Sequence, residues 1–228
     1  MAQIRQVIAA VATLLFSAYV GLASAQNIEI IPPKSGSGPG VILISGISGT
    51  ALYQDYAKAV ADLGYTAALV SGKDISNQPG VSADNLQRVL ETLRADPRIR
   101  PGKLAVVGFS LGGGGALLHA SNQPESFSVV VAYYPAVSRL PSITETAKRV
   151  GVPTLILAGE KDRFRDCCVI ESIREFEAAA KASRLPVVVH SYPEADHGFN
   201  LRIPAFRAQD ASDAWARVQE VFLKHHPL

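Results

Sequence analysis

Ser110 stands in Gly108-Phe109-Ser110-Leu111-Gly112, a G-x-S-x-G pattern between an apolar run and an amphipathic one. The spacing has a physical reason. A serine hydroxyl that attacks a carbonyl must stand clear of its own backbone on a sharp strand-to-helix turn, and a glycine on either side lets neighbouring main chain approach where a Cβ would clash. A helix that opens after such a turn aims its first N–H groups at the reacting centre, where they favour the negative charge of a tetrahedral intermediate. Gly-rich turns occur in many folds, so the pattern draws its weight from the strand and helix around it.

A serine hydroxyl is a weak nucleophile until a base takes its proton and a third group orients that base. On a strand-turn-helix elbow the partners follow in the order acid, then histidine, in loops after late strands. Asp162 closes Gly159-Glu160-Lys161-Asp162 directly after the apolar run Thr154 to Ala158, and His197 lies in Asp196-His197-Gly198-Phe199, a Pro-broken loop after the last such run. The expected catalytic set is therefore Ser110 as nucleophile, His197 as base and Asp162 as the group that holds the base. Glu160 and Asp166 are the alternative acids. Asp196 adjoins His197, but consecutive side chains diverge, which suits it to nearby backbone N–H groups. His190 falls inside a predicted strand, His119 on the helix after Ser110, and His225 and His226 at a tail where chains fray, so all four read as structural or solvent-facing.

These loops need a scaffold that brings distant positions to one edge. Apolar runs bounded by Gly and Pro alternate with amphipathic stretches, the pattern of βα units around a mostly parallel sheet. After a Gly-, Ser- and Pro-rich linker, Pro32 to Gly40, strands are predicted at Val41 to Ile44, Thr66 to Val70, Leu104 to Val107, Phe127 to Ala132, Thr154 to Ala158 and Val187 to His190. Helices are predicted around Tyr53 to Leu63, Ala83 to Arg94, just past Ser110, near Ile143 to Arg149, near Val169 to Ala182, and from Asp210 to Lys224. Uninterrupted Val, Ile and Leu runs mean strands buried on both faces. The fold class is thus α/β, an α/β-hydrolase fold with helices on both faces of the sheet. Open sheets of this kind bind ligands at the carboxyl ends of their strands, where Ser110, Asp162 and His197 all fall.

The chain opens with Arg5, an uncharged apolar run from Val7 to Leu22, and Ala23-Ser24-Ala25, the layout of a secretory signal peptide cleaved after a small residue. Residues 1–25 are expected to be removed, leaving 26–228 as a single domain outside the cytoplasm, periplasmic or secreted; an uncleaved anchor is the alternative. Lys and Arg number 22 against 20 Asp and Glu, a formal net charge of +2 that loses one unit with Arg5. So near a balance gives no electrostatic case for nucleic acid, nor for an anionic membrane after cleavage. The basic group Arg94, Arg98, Arg100 and Lys103, broken by Asp96, Pro97 and Pro101, reads as a solvated loop.

Cys167 and Cys168, the two cysteines, are adjacent. Neighbouring Cα atoms sit about 3.8 Å apart, below the usual disulfide range. In an oxidising compartment a vicinal bridge can still lock the loop after Asp162; reduced thiols or an intermolecular bridge are the alternatives. Two adjacent thiols with no second ligand pair make no tetrahedral site, so no metal is expected.

The chain resembles the dienelactone hydrolase family over nearly all of residues 26–228. The likeness rests on Val107-Gly108-Phe109-Ser110-Leu111-Gly112-Gly113, Leu157-Ala158-Gly159-Glu160-Lys161-Asp162, Tyr192-Pro193-Glu194-Ala195-Asp196-His197-Gly198-Phe199, and Asp210 to Leu223 with its Ala214-Trp215. It implies a compact hydrolase with a nucleophile, Asp and His triad, acting on esters or lactones without metal or organic cofactor. Two departures matter. The founding members use a Cys nucleophile where this chain has Ser110, and they carry a Glu in the loop after the first core strand where Ile44-Ser45-Gly46-Ile47-Ser48-Gly49 has Gly46. Dienelactone is therefore a doubtful substrate, and a general esterase the better expectation. In such a site the N–H of Leu111, the residue after the nucleophile, is one oxyanion donor, and by resemblance that of Ile47 is the other; an ordinary turn with no anion to bind is the alternative.

Between Ala132 and Thr154 the connection is short, leaving no room for a large lid, which favours small or medium soluble esters. Tyr133, Tyr134 and Pro135 sit at the carboxyl end of a strand, where they either wall the pocket or simply pack. Arg202, like Arg163 and Arg165, lies in a loop bearing a catalytic candidate, where it either attracts an acidic substrate or faces water. The expected function is ester or lactone hydrolysis through an acyl-enzyme on Ser110. The alternatives are a peptidase or acyltransferase on the same triad, or a binding protein that kept the scaffold.

Overall fold

The computed structural model describes residues 27–228; the signal segment expected at 1–25 lies outside the described residues. Seven strands form one sheet, in the spatial order β1-β3-β2-β4-β5-β6-β7. They are β1 Glu29–Ile31, β2 Gly38–Ile44, β3 Thr66–Val70, β4 Ile99–Phe109, β5 Phe127–Tyr133, β6 Thr154–Gly159 and β7 Val187–Tyr192. Every neighbouring pair is parallel except β1 with β3, which is antiparallel.

Alternate residues of each central strand serve opposite faces. Val41, Leu43, Val107, Val131 and Leu157 pack toward α1 (Gln54–Asp62) and, later in the chain, the terminal helix Ala208–His225. Ile42, Ile44, Val106 and Val130 face α2 (Val81–Ala95) and the helix after Ser110. Ala132, Ile156 and Ala158 face α4 (Ile143–Ala147) and α5 (Ile170–Ala182). That leaves α3 as Leu111–Gly115, continued in π-helical form over Ala116–Ala120, and the terminal helix as α6. Burial on both faces is why the sequence shows runs rather than alternation.

Three expectations are corrected. The linker Pro32 to Gly40 gives its last three residues to β2, and β1, too short for a periodic signal, pairs ahead of it at the edge. The strand expected at Leu104 begins at Ile99, so Arg100 and Lys103 lie on a solvent-exposed strand extension rather than in a loop, while Arg98 pairs with Asp96 at 2.7 Å. The tail is docked rather than frayed: His226 is 5% exposed, and its ring stacks on Tyr65 at 5.5 Å. Between β5 and β6 lie only a short 3-10 turn and α4, with no large lid. Among the described residues no helix is long and apolar enough to cross a membrane.

Candidate active site

The carboxyl ends of β4, β6 and β7 share one rim, and each runs into a loop that carries a candidate residue. Ser110 turns the chain from β4 into α3 at φ 53° and ψ −114°, a left-handed conformation rare for a residue with a Cβ. The turn is held on both sides: the Ser110 N–H donates to the Tyr133 carbonyl at 3.0 Å, and its own carbonyl accepts from Gly114 and Ala136 at 3.0 and 2.9 Å. Gly112 lets α3 lie against β2, since a Cβ there would sit 2.4 Å from the carbonyl oxygens of Ile44 and Ser45.

Opposite this elbow, Nε2 of His197 lies 3.0 Å from the Ser110 Oγ, and Nδ1 lies 2.7 Å from Oδ2 of Asp162. Asp162 is fully buried, and its second oxygen accepts the Phe164 N–H at 3.0 Å, which fixes the carboxylate plane. The rival acids point elsewhere. Glu160 accepts from Ser191 at 2.6 Å and faces Arg174, Asp166 is exposed, and Asp196 accepts the N–H of His197 itself at 2.7 Å. His119 is buried against the carbonyls of Ser76 and Gln78, and burial pushes its pKa down. His190, on β7, sits beside Asp213 of α6.

Two rings bracket the His197 imidazole. Phe164 stacks on it at 4.4 Å and 10°, and Tyr134 leans on it at 4.7 Å and 59°. Tyr134 is thus packed beside the imidazole rather than lining an open wall, being 1% exposed, with its hydroxyl donating to Oδ1 of Asn200 at 2.8 Å. Burial raises that phenol well above its usual range, so it stays a neutral donor. Phe164 and Asn200 were missed in sequence reasoning. Their only signal was position, two residues after Asp162 and three after His197.

The loop after β2 reaches the same point. Gly49 N–H donates to the Gly46 carbonyl at 3.2 Å, closing a turn with Ile47 and Ser48 in its middle. A Cβ on Gly46 would stand 3.4 Å from the Ser110 Cβ but only 2.6 Å from the Tyr53 hydroxyl, so a buried tyrosine fills the space beside the serine that a side chain at 46 would need. Leu111 is the first residue of α3, where a backbone N–H has no intrahelical acceptor.

Arg202 stands apart from this cluster. It is a largely exposed side chain 3.6 Å from Asp55, at the edge of a cleft of about 430 Å³ between α1, α6 and the loop 200–206. Leu52, Tyr56, Phe206 and Trp215 make that cleft apolar, and Asn200 joins it to the Tyr134 and His197 cluster. Arg163 pairs with Glu171 at 3.5 Å, and Arg165 lies over the Phe164 ring. Cys167 and Cys168 are bonded to each other and pack against Ala136.

The model of the dienelactone hydrolase family matches residues 72–226. A protein of Yersinia pestis named "Putative carboxymethylenebutenolidase" is 35% identical over 129 residues, which are 54% of this chain and 47% of that protein. The match therefore spans about half that relative's length. One of the same name from Methylorubrum extorquens is 24% identical over 86% of this chain and 75% of its own. The crystal structure of a "Putative Dienelactone Hydrolase" from Klebsiella pneumoniae superposes with a TM-score of 0.76 at 22% identity, covering 87% of this chain and 92% of that one, and so shares the fold.

Proposed function

The chain belongs to the dienelactone hydrolase family, and on that premise we propose that it is an exported serine carboxylesterase acting on small or medium soluble esters or lactones. One observation carries the reading: a serine, an imidazole and a buried carboxylate stand in a single hydrogen-bonded line, at 3.0 and 2.7 Å. In that line His197 takes the Ser110 proton on Nε2 as Oγ attacks the ester carbonyl, while Asp162 holds Nδ1–H and stabilises the imidazolium that forms. The tetrahedral oxyanion is received by the N–H groups of Leu111 and Ile47. Collapse expels the alcohol, which takes its proton from His197, and leaves an acyl-Ser110 ester. Water activated by His197 then releases the acid and restores the serine.

The apolar cleft beside Asn200 suits an aliphatic or aromatic part of the ester, with Arg202 at its edge as a weak attractor for acidic substrates. No step calls on a metal or organic cofactor.

The test is covalent labelling by a fluorophosphonate probe, with turnover of a chain-length series of nitrophenyl esters. The parent is expected to label once and turn over the shorter esters. Ser110→Ala should do neither, and the labelled chain recovered outside the cytoplasm should begin at Gln26. Full activity in Ser110→Ala would overturn the nucleophile. A parent that neither labels nor hydrolyses any ester would favour a binding protein.

A further inference from the structure

Cys168 lies closer to the chemistry than its place in the sequence suggests. Its Sγ, a ring nitrogen of His197 and a carboxylate oxygen of Asp162 all fall within 4.8 Å of one another. The sulfur belongs to the bridge with Cys167, and Cys168 itself is fully buried, so it faces inward onto the pair that would drive catalysis. While the bridge is closed that sulfur has no lone thiolate to offer. Once it is open, a thiolate, an imidazole and a carboxylate converge, which is the mixed S, N, O donor set that zinc accepts.

We propose that reduction of the Cys167–Cys168 bridge creates a binding site for a thiophilic divalent cation, Zn²⁺ or Cd²⁺, on Cys168, His197 and Asp162, and that the bound cation silences the enzyme. The redox step balances with a dithiol donor. Its two electrons and two protons pass to the protein sulfurs, the Cys167–Cys168 bond breaks, and the donor closes into its own disulfide. Cation binding then releases the Cys168 thiol proton and moves the Nδ1 proton of His197 to Nε2, which leaves the Asp162-facing nitrogen free to ligate. Cys167, buried at 8% exposure but less so than the fully buried Cys168, follows the exposed segment 163–166, so the donor attacks its sulfur and Cys168 leaves as the thiolate.

Geometry supports occupation after opening rather than before. Tetrahedral zinc holds its ligands roughly 3.3–3.8 Å apart, given bonds of about 2.0–2.3 Å. The sulfur must therefore draw in from a separation of up to 4.8 Å once the bridge no longer holds it, while the His197–Asp162 pair opens from 2.7 Å as the cation replaces its hydrogen bond. A cation there takes the lone pair or the carboxylate on which His197 depends, so binding and proton transfer exclude one another. The inhibition rests on the esterase reading; the binding does not. An exported chain would be silent in a reducing interior and released when the bridge closes outside it.

The experiment separates the two. Cd²⁺ is titrated into the oxidised protein, the protein reduced with a phosphine, and the variants Cys167→Ser and Cys168→Ser, reading the cadmium–thiolate charge-transfer absorbance; nitrophenyl ester turnover is then followed against Zn²⁺. The reduced parent and unreduced Cys167→Ser should show the band and bind at least tenfold tighter than the oxidised parent, with a matching fall in the Zn²⁺ needed for half-inhibition. Cys168→Ser should show neither. Equal binding by Cys168→Ser and Cys167→Ser, or no band in the reduced parent, would overturn the site. A band without inhibition would leave the cation site standing and defeat the silencing. A protein with no esterase activity at all would fail the functional reading alone, because the absorbance is read without turnover.

Discussion

At the residue scale the site is crowded in a way that assigns small residues their place. Gly46 is the sharpest case, because a single methyl there would stand 2.6 Å from the Tyr53 hydroxyl while clearing the Ser110 Cβ at 3.4 Å. No real Cβ tolerates the first contact, so either Tyr53 shifts or the turn carrying Ile47 does. Gly46→Ala is expected to lower kcat/KM about tenfold, roughly 1.4 kcal/mol of transition-state stabilisation. Adding Tyr53→Phe, which removes the clashing oxygen, should restore a good part of it. Unchanged activity in Gly46→Ala, or a double variant no better than the single, would show that the space beside the serine is not shared as described. The same crowding leaves no room for a larger side chain at position 46, because a buried tyrosine occupies the place.

At the element scale, the turn from β4 into α3 positions Ser110 by pressing a helix against a neighbouring strand. A helix of Leu111-Gly112-Gly113-Gly114-Gly115 is a poor helix by propensity, each Gly costing about 1 kcal/mol against Ala. Propensity alone would therefore make Gly112→Ala stabilising. Contact decides otherwise, because the new Cβ would lie 2.4 Å from two carbonyl oxygens at the end of β2. Overpacking against rigid backbone costs more than the propensity returns, so a net loss of about 2–3 kcal/mol is expected in urea unfolding at pH 7. A neutral or stabilised variant would mean that α3 is free to move off the sheet, and the elbow's strain at Ser110 would need another support.

For the whole molecule, the tail closes the structure at the far end from the site. Tyr65 donates to the His226 carbonyl at 3.0 Å, and Nδ1 of His226 lies 2.9 Å from the Ser128 hydroxyl, tying the residue after α6 to the one before β3 and to β5. Burial drives the His226 pKa down to about 4 from an ordinary value of 6.5. The sign follows: the folded state holds the ring neutral, so the unfolded chain binds the extra proton between those values. Stability is full above pH 6.5, falls as pH drops toward 4, and by this group loses at most on the order of 3 kcal/mol. His119, pushed down by its own burial, adds to the same trend. In urea unfolding at pH 7 and 4.5, His226→Phe should lose less on acidification than the parent. An identical loss in both would remove His226 from the account.

The sequence by itself determined the α/β class and the sheet's two faces, because strands buried on both sides need unbroken apolar runs and helices need their own period. It also singled out Ser110, Asp162 and His197 for one rim, since the order of loops along a parallel sheet dictates which ends share an edge. Only the tertiary structure decided the rest. β1 is three residues long and exists through pairing with β3, not through any pattern of its own. Phe164 meets His197, Tyr53 meets Gly46, and the Cys168 sulfur meets both Asp162 and His197 because loops from separate strands fold over one point. Local periodicity reports what each segment must bury; it carries no record of how far a loop leans, which depends on every neighbour it packs against.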